Sequence, residues 1–180
     1  MRIVFGLLLT LLLAGQALAD GLTLTSTDLR EGGQVAQAQI LSGFGCTGGN
    51  VSPQLAWTGA PAGTKSFALT MYDPDAPTGS GWWHWVVFNI PAAARELPRG
   101  AGSGGAVLPA GAVQSRTDFG KPGYGGPCPP PGKPHRYVLT LFALDVERLD
   151  LAPDSPAAMV GFNLGAHTLA RTSITTVYGR

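Results

Sequence analysis

Asp73, His84, His135 and Tyr137 are the residues of this chain whose types and settings best suit chemistry. Asp73 lies in Tyr72-Asp73-Pro74-Asp75-Ala76-Pro77, and His84 closes Gly79-Ser80-Gly81-Trp82-Trp83-His84. His135 and Tyr137 follow Gly123-Tyr124-Gly125-Gly126-Pro127-Cys128-Pro129-Pro130-Pro131-Gly132. Proline fixes φ and removes a donor, so such loops are stiff. Stiff loops on a scaffold are where binding residues concentrate. If the two loops meet, an acid, two imidazoles and a phenol line one polar pocket. A carboxylate beside a histidine favours the imidazolium. Imidazolium donors, the Tyr137 hydroxyl and loop N–H groups together suit a small anion such as phosphate, a phosphomonoester or a carboxylate.

Each residue also has a plainer reading. Aspartate beside proline is a turn former, and Asp73 and Asp75 both admit that reading. A histidine opening an apolar strand can be a core residue bonded to backbone. Asp73, His84 and His135 also have the composition of a two-histidine, one-carboxylate metal site, which would allow hydrolysis by a metal-bound water. Their spacing matches no His-Glu-x-x-His signature, and the chain has no Gly-x-Ser-x-Gly elbow. The residues therefore favour a binding module over an enzyme, with no cofactor. A third reading is an interaction protein working through another surface, such as Gly100–Gly105 or the C-terminal helix. His167 reads as a packing or surface residue.

The elements that must position these groups are short. The chain has 26 glycines and 15 prolines, a density that favours strands over long helices. Strands are expected at Leu22–Thr25, Ser66–Tyr72, Trp85–Ile90, Tyr137–Ala143 and Ile174–Tyr178. Trp85–Ile90 is apolar but for Asn89 and reads as a central strand covered on both faces. One helix is expected from Ala157 to Ala170, with Ser155 as N-cap and Pro156 in the first turn. A short helical turn is expected near Ala92–Glu96. Gly100–Gly105 reads as a mobile surface loop.

Taken together, Asp73-Pro74-Asp75-Ala76-Pro77, Trp82-x-His84, the Gly/Pro loop into His135-Arg136-Tyr137, and Ser52-Pro53-Gln54-Leu55-Ala56-Trp57 resemble the phosphatidylethanolamine-binding protein family, or Raf kinase inhibitor-like proteins. Phe44-Gly45-Cys46 and Gly-Pro-Cys-Pro-Pro around Cys128 are similar to its bacterial YbhB/YbcL branch. The resemblance runs over nearly all of Leu22 to Tyr178. It implies a mainly β fold: an antiparallel Greek-key β-sandwich with a C-terminal helix and short peripheral helices. It also implies a small-anion site able to accept a phosphorylated head group. Asp73 then goes to the pocket floor and Asp75 to a structural bond with backbone or an arginine. Trp82 becomes an apolar wall, and Pro77, Gly126, Pro127 and Pro129 become further lining. Family members include inhibitors of kinases and proteases, so a protein partner is a further expectation.

Residues 1–19 read as a cleaved secretory leader. Arg2 is followed by an apolar run from Ile3 to Ala14, and Ala17-Leu18-Ala19 is a small-x-small site before Asp20. Residues 20–180 then form a single domain in the periplasm or outside the cell. No other stretch is long and apolar enough to span a bilayer. Without Arg2 the chain's 12 basic residues fall by one and match its 11 acidic ones. That balance argues against a nucleic-acid partner. Monomer and homodimer stay equally open. The two cysteines, Cys46 and Cys128, suggest a disulfide in an oxidising compartment.

Overall fold

The computed structural model describes residues 21–180; the leader assigned to residues 1–19 lies outside them. In chain order the first strands are β1 (Thr23–Thr25), β2 (Ser42–Gly43), β3 (Cys46–Thr47), β4 (Leu55–Thr58) and β5 (Ser66–Asp73). They are followed by β6 (Trp82–Pro91), β7 (Glu96–Leu97), β8 (Val113–Gln114) and β9 (His135–Leu144). The helix α1 (Ala157–His167) precedes the last strand, β10 (Thr168–Tyr178). The fold is mainly β, and all its named strand pairs are antiparallel.

A five-stranded sheet in the order β10-β9-β5-β6-β8 forms the body, and a three-stranded sheet, β1-β4-β7, forms the second layer. Side chains alternate across a strand, which divides the large sheet's two faces. Phe67, Leu69 and Met71 of β5 share one face with Tyr137, Leu139 and Leu141 of β9, and pack against Leu24, Leu55, Trp57 and Leu97 of the small sheet. Ala68 of β5 and Val86 and Phe88 of β6 lie on the other face, against Ala157, Val160 and Leu164 of α1. The apolar run Trp85–Ile90 is thus covered on both sides, as its composition requires.

Four local expectations change. The helix stops at His167, and Thr168–Ala170 belong to β10. The Thr168 hydroxyl donates to the Leu164 carbonyl at 2.6 Å. The threonine-rich segment beyond finds β9 as a partner along its length, and pairing overrides the weak helical preference of β-branched residues. The N-cap is Pro156, with no side-chain cap; Ser155 instead accepts the Ser115 hydroxyl at its carbonyl. Residues 92–95 form a turn that leads directly into β7, and α1 is the only helix among the described residues. Gly100–Gly105 is a packed turn. Its Gly100 and Gly102 N–H groups donate to the Ser52 carbonyl and hydroxyl at 2.9 and 2.8 Å. A Cβ on Gly102 would come within 2.5 Å of the Trp85 indole.

Candidate functional site

The site lies at one end of the central strands. Asp73 is the last residue of β5 and His135 the first of β9, while Tyr137, two residues on, shares His135's face by the alternation of the strand. His84 reaches the same place by an irregularity. Met71 pairs with Trp85 and Tyr72 with Trp83, which leaves His84 as an extra residue in β6. Such a bulge re-aims a side chain. Trp83 packs toward the helix-covered face and Trp85 toward the small sheet; His84 turns with Trp85 to meet Tyr137, ring centroids 5.1 Å apart and edge to face.

These side chains line a cavity of about 220 Å³. On its floor, the His135 Nδ1–H donates to Asp73 Oδ2 at 2.7 Å, with both residues buried. The other Asp73 oxygen accepts the Asp75 N–H at 2.8 Å. His84 Nδ1–H donates to the Gly125 carbonyl at 2.7 Å, and its Nε2 has no protein partner among the described residues. Burial pushes the His84 pKa below its ordinary value of 6.5, although the Gly125 carbonyl and the Asp73 charge pull the other way. The imidazolium expected from the sequence is therefore disfavoured at His84 in the free cavity. The Tyr137 hydroxyl is buried without a hydrogen-bond partner, and burial, with Asp73 nearby, raises its pKa well above the phenol's usual range. It is a committed donor.

The walls are mainly apolar. Pro77 and Trp82 line the cavity, as expected from their positions, and Thr78 and Ala76 join them. Gly126 and Pro127 do not. Both are buried behind the wall: the Gly126 N–H donates to Asn50 Oδ1 at 2.8 Å, and the Pro127 carbonyl accepts the Leu41 N–H. A Cβ on Gly126 would fall 2.2 Å from the Gln39 carbonyl. Pro129, also named from the sequence, does line the cavity, together with Cys128 and Pro130.

Leu41, Phe44 and Phe119 complete the wall, and sequence reasoning passed over all three. Phe119 packs edge-on against both His84 and Trp82, at 5.4 Å in each case. It fits because Gly125 leaves room: a Cβ there would lie 2.2 Å from its ring. Phe44 sits at the tip of the β2–β3 hairpin, 70% exposed, with φ at +53°. A left-handed conformation is uncommon for a bulky residue. The one usable signal was its glycine neighbours, Gly43 and Gly45.

Two cross-links hold the hairpin to the proline loop. Cys46 and Cys128 form the expected disulfide across a sequence separation of 82. The Arg180 guanidinium donates to the Pro129 carbonyl at 2.7 Å and to the Phe44 carbonyl at 3.3 Å. Asp75 turns out of the cavity and forms a forked pair with Arg136, Nε to Oδ2 at 2.9 Å and Nη2 to Oδ1 at 2.7 Å. That guanidinium holds its carboxyl well below the usual range. His167 pairs with Asp145 on the surface at 3.0 Å. Among the described residues, no three histidine, cysteine, aspartate or glutamate side chains are grouped to hold a metal ion. None of the helices there is long and apolar enough to cross a membrane.

A family model described as phosphatidylethanolamine-binding protein matches residues 25–179. The chain is 56% identical over 155 residues to the UPF0098 protein YbhB of Escherichia coli (strain K12), covering 86% of this chain and 98% of that one. It is 52% identical over 164 residues to the UPF0098 protein YbcL of the same organism, covering 90% of each. The crystal structure of E. coli YbcL, titled a new member of the mammalian PEBP family, matches with a TM-score of 0.87 over 89% of this chain and 99% of that one. A putative homologue from Chlamydia trachomatis matches at 28% identity with a TM-score of 0.75, over 89% of this chain and 98% of that one.

Proposed function

The chain belongs to the phosphatidylethanolamine-binding protein family, and from that premise we propose that it is an exported binding protein, not an enzyme, whose inner cavity takes a small anion. A phosphate, a phosphomonoester or the phosphorylated head group of a lipid is the class of ligand. Modulation of a partner protein through this occupied site is part of the proposal.

The observation that carries it is the Tyr137 hydroxyl, a buried donor without an acceptor, on a side chain that lines the cavity. A buried polar group left unpaired costs about 1–3 kcal/mol, and a ligand oxygen would relieve that cost. His84 Nε2 supplies a second contact. His135 holds the Asp73 carboxylate by a hydrogen bond, which blunts its repulsion of an anion. An anion beside His84 favours the imidazolium, so binding takes up a proton at that ring. The disulfide and the leader-like residues 1–19 support export.

Calorimetric titration of the mature protein with inorganic phosphate and with phosphoethanolamine tests this reading. Binding by wild type and a roughly tenfold loss in Tyr137→Phe are expected, the worth of one hydrogen bond. A wild type that binds neither probe overturns it.

A further inference from the structure

A second cavity, of about 290 Å³, adjoins the first and shares Leu41, Phe44 and Phe119 with it. The partition is the Phe44–Phe119 pair, stacked with ring centroids 5.9 Å apart and planes 20° from parallel. The two chambers differ in kind. No lysine or arginine lines the inner one, whereas Lys121 lines the outer one. The ammonium of Lys121 enters no ion pair among the described residues. Of the other polar side chains of the outer chamber, the Ser42 hydroxyl is neutral, the Tyr124 hydroxyl bonds to the Gln39 carbonyl, and the remaining two are also engaged. Asn50 bonds to the Tyr124 carbonyl and the Gly126 N–H, and the Thr117 hydroxyl bonds to the Lys121 carbonyl. Lys121 is thus the group there with charge to offer.

We propose that the two chambers form one bipartite site for a ligand with two acidic groups, the first held in the inner cavity and the second at Lys121, joined by an apolar linker across the Phe44–Phe119 ridge. This rests on the anion reading of the inner cavity and extends it. A linker of methylenes or a ring suits the ridge, because the aromatic faces offer contact area and no hydrogen-bond partner. A charge at an exposed ammonium contributes modestly, and it adds to a head group already bound in place.

The test titrates the mature protein with inorganic phosphate and with phosphonoacetate and its longer-chain homologues. One chain length should bind roughly fivefold tighter than phosphate, the scale of an exposed ion pair. That gain should vanish in Lys121→Ala and at high salt, while phosphate affinity stays at the wild-type value. A series with no favoured length, or a gain that survives in both Lys121→Ala and Lys121→Glu, overturns the bipartite site and leaves the inner site standing. If phosphate and every homologue fail to bind, both readings fall.

Discussion

The end of β5 and the turn after it hold two acids, Asp73 and Asp75, with one residue between them, and the start of β9 offers each a base. Asp73 takes His135 and Asp75 takes Arg136. Both pairs bridge the same two loops, yet they differ in kind. The outer pair is a forked guanidinium–carboxylate contact, with Arg136 58% exposed. It clips the loops together and its chemistry ends there. The inner pair is buried and leaves a cavity beside it. What separates them is the pleat: one step along the chain decides which base faces inward. A loop junction can therefore be fastened from outside while its inner face stays free for a ligand.

The comparison breaks most directly at Asp73. Asp73→Ala leaves a buried His135 N–H without its acceptor, and should cost about 3–5 kcal/mol by urea denaturation. A cost no larger than that of Asp75→Ala would show that burial does not distinguish the pairs. Next in size is Tyr137→Phe. Because the hydroxyl is unpaired in the free protein, this variant should lose anion affinity while matching or exceeding wild-type stability. Parallel loss of both would mark Tyr137 as a packing residue only.

A smaller effect belongs to His84. Its pKa lies below the ordinary 6.5 in the folded chain, so as pH falls the unfolded chain takes up that proton first. The His84 contribution to stability is complete above the unfolded value and declines as pH drops below it. His84→Gln should flatten this acid-side slope. Anion affinity should run the other way, falling between about pH 6 and pH 8 once ligand ionisation is corrected, since a bound anion raises the ring's pKa. The smallest effect is at the outer pair. Arg136→Ala should leave the denaturation midpoint almost unchanged, and return the Asp75 carboxyl, now held low by that guanidinium, to the ordinary carboxylate range in an NMR titration. An unmoved Asp75 would remove the clip from the account.

Much of this was legible beforehand because it rests on local chemistry. Proline and glycine beside Asp73, His84 and His135 marked stiff loops, and the apolar runs after the two histidines marked the strands that carry them. The disulfide followed from two cysteines and the leader-like composition of residues 1–19. Other features depend on information that one strand does not hold. Leu41, Phe44 and Phe119 enter the wall from loops with no residue pattern of their own, and only the fold brings them together. Gly126 and Pro127 sit in the right loop, but its path turns them away from the cavity. Thr168–Ala170 read as helix until β9 supplies a partner.

The bulge at His84 carries a consequence for chain length. Removing Trp83, the residue between Trp82 and His84, would let β6 pair with β5 in even phase from Leu69 to Asp73. The strand would then present an indole where the imidazole stands now. A protein of this kind would thus keep its strands and lose the imidazole of the proposed site through one codon's deletion, so the length of that short tryptophan run matters to the site as much as its composition.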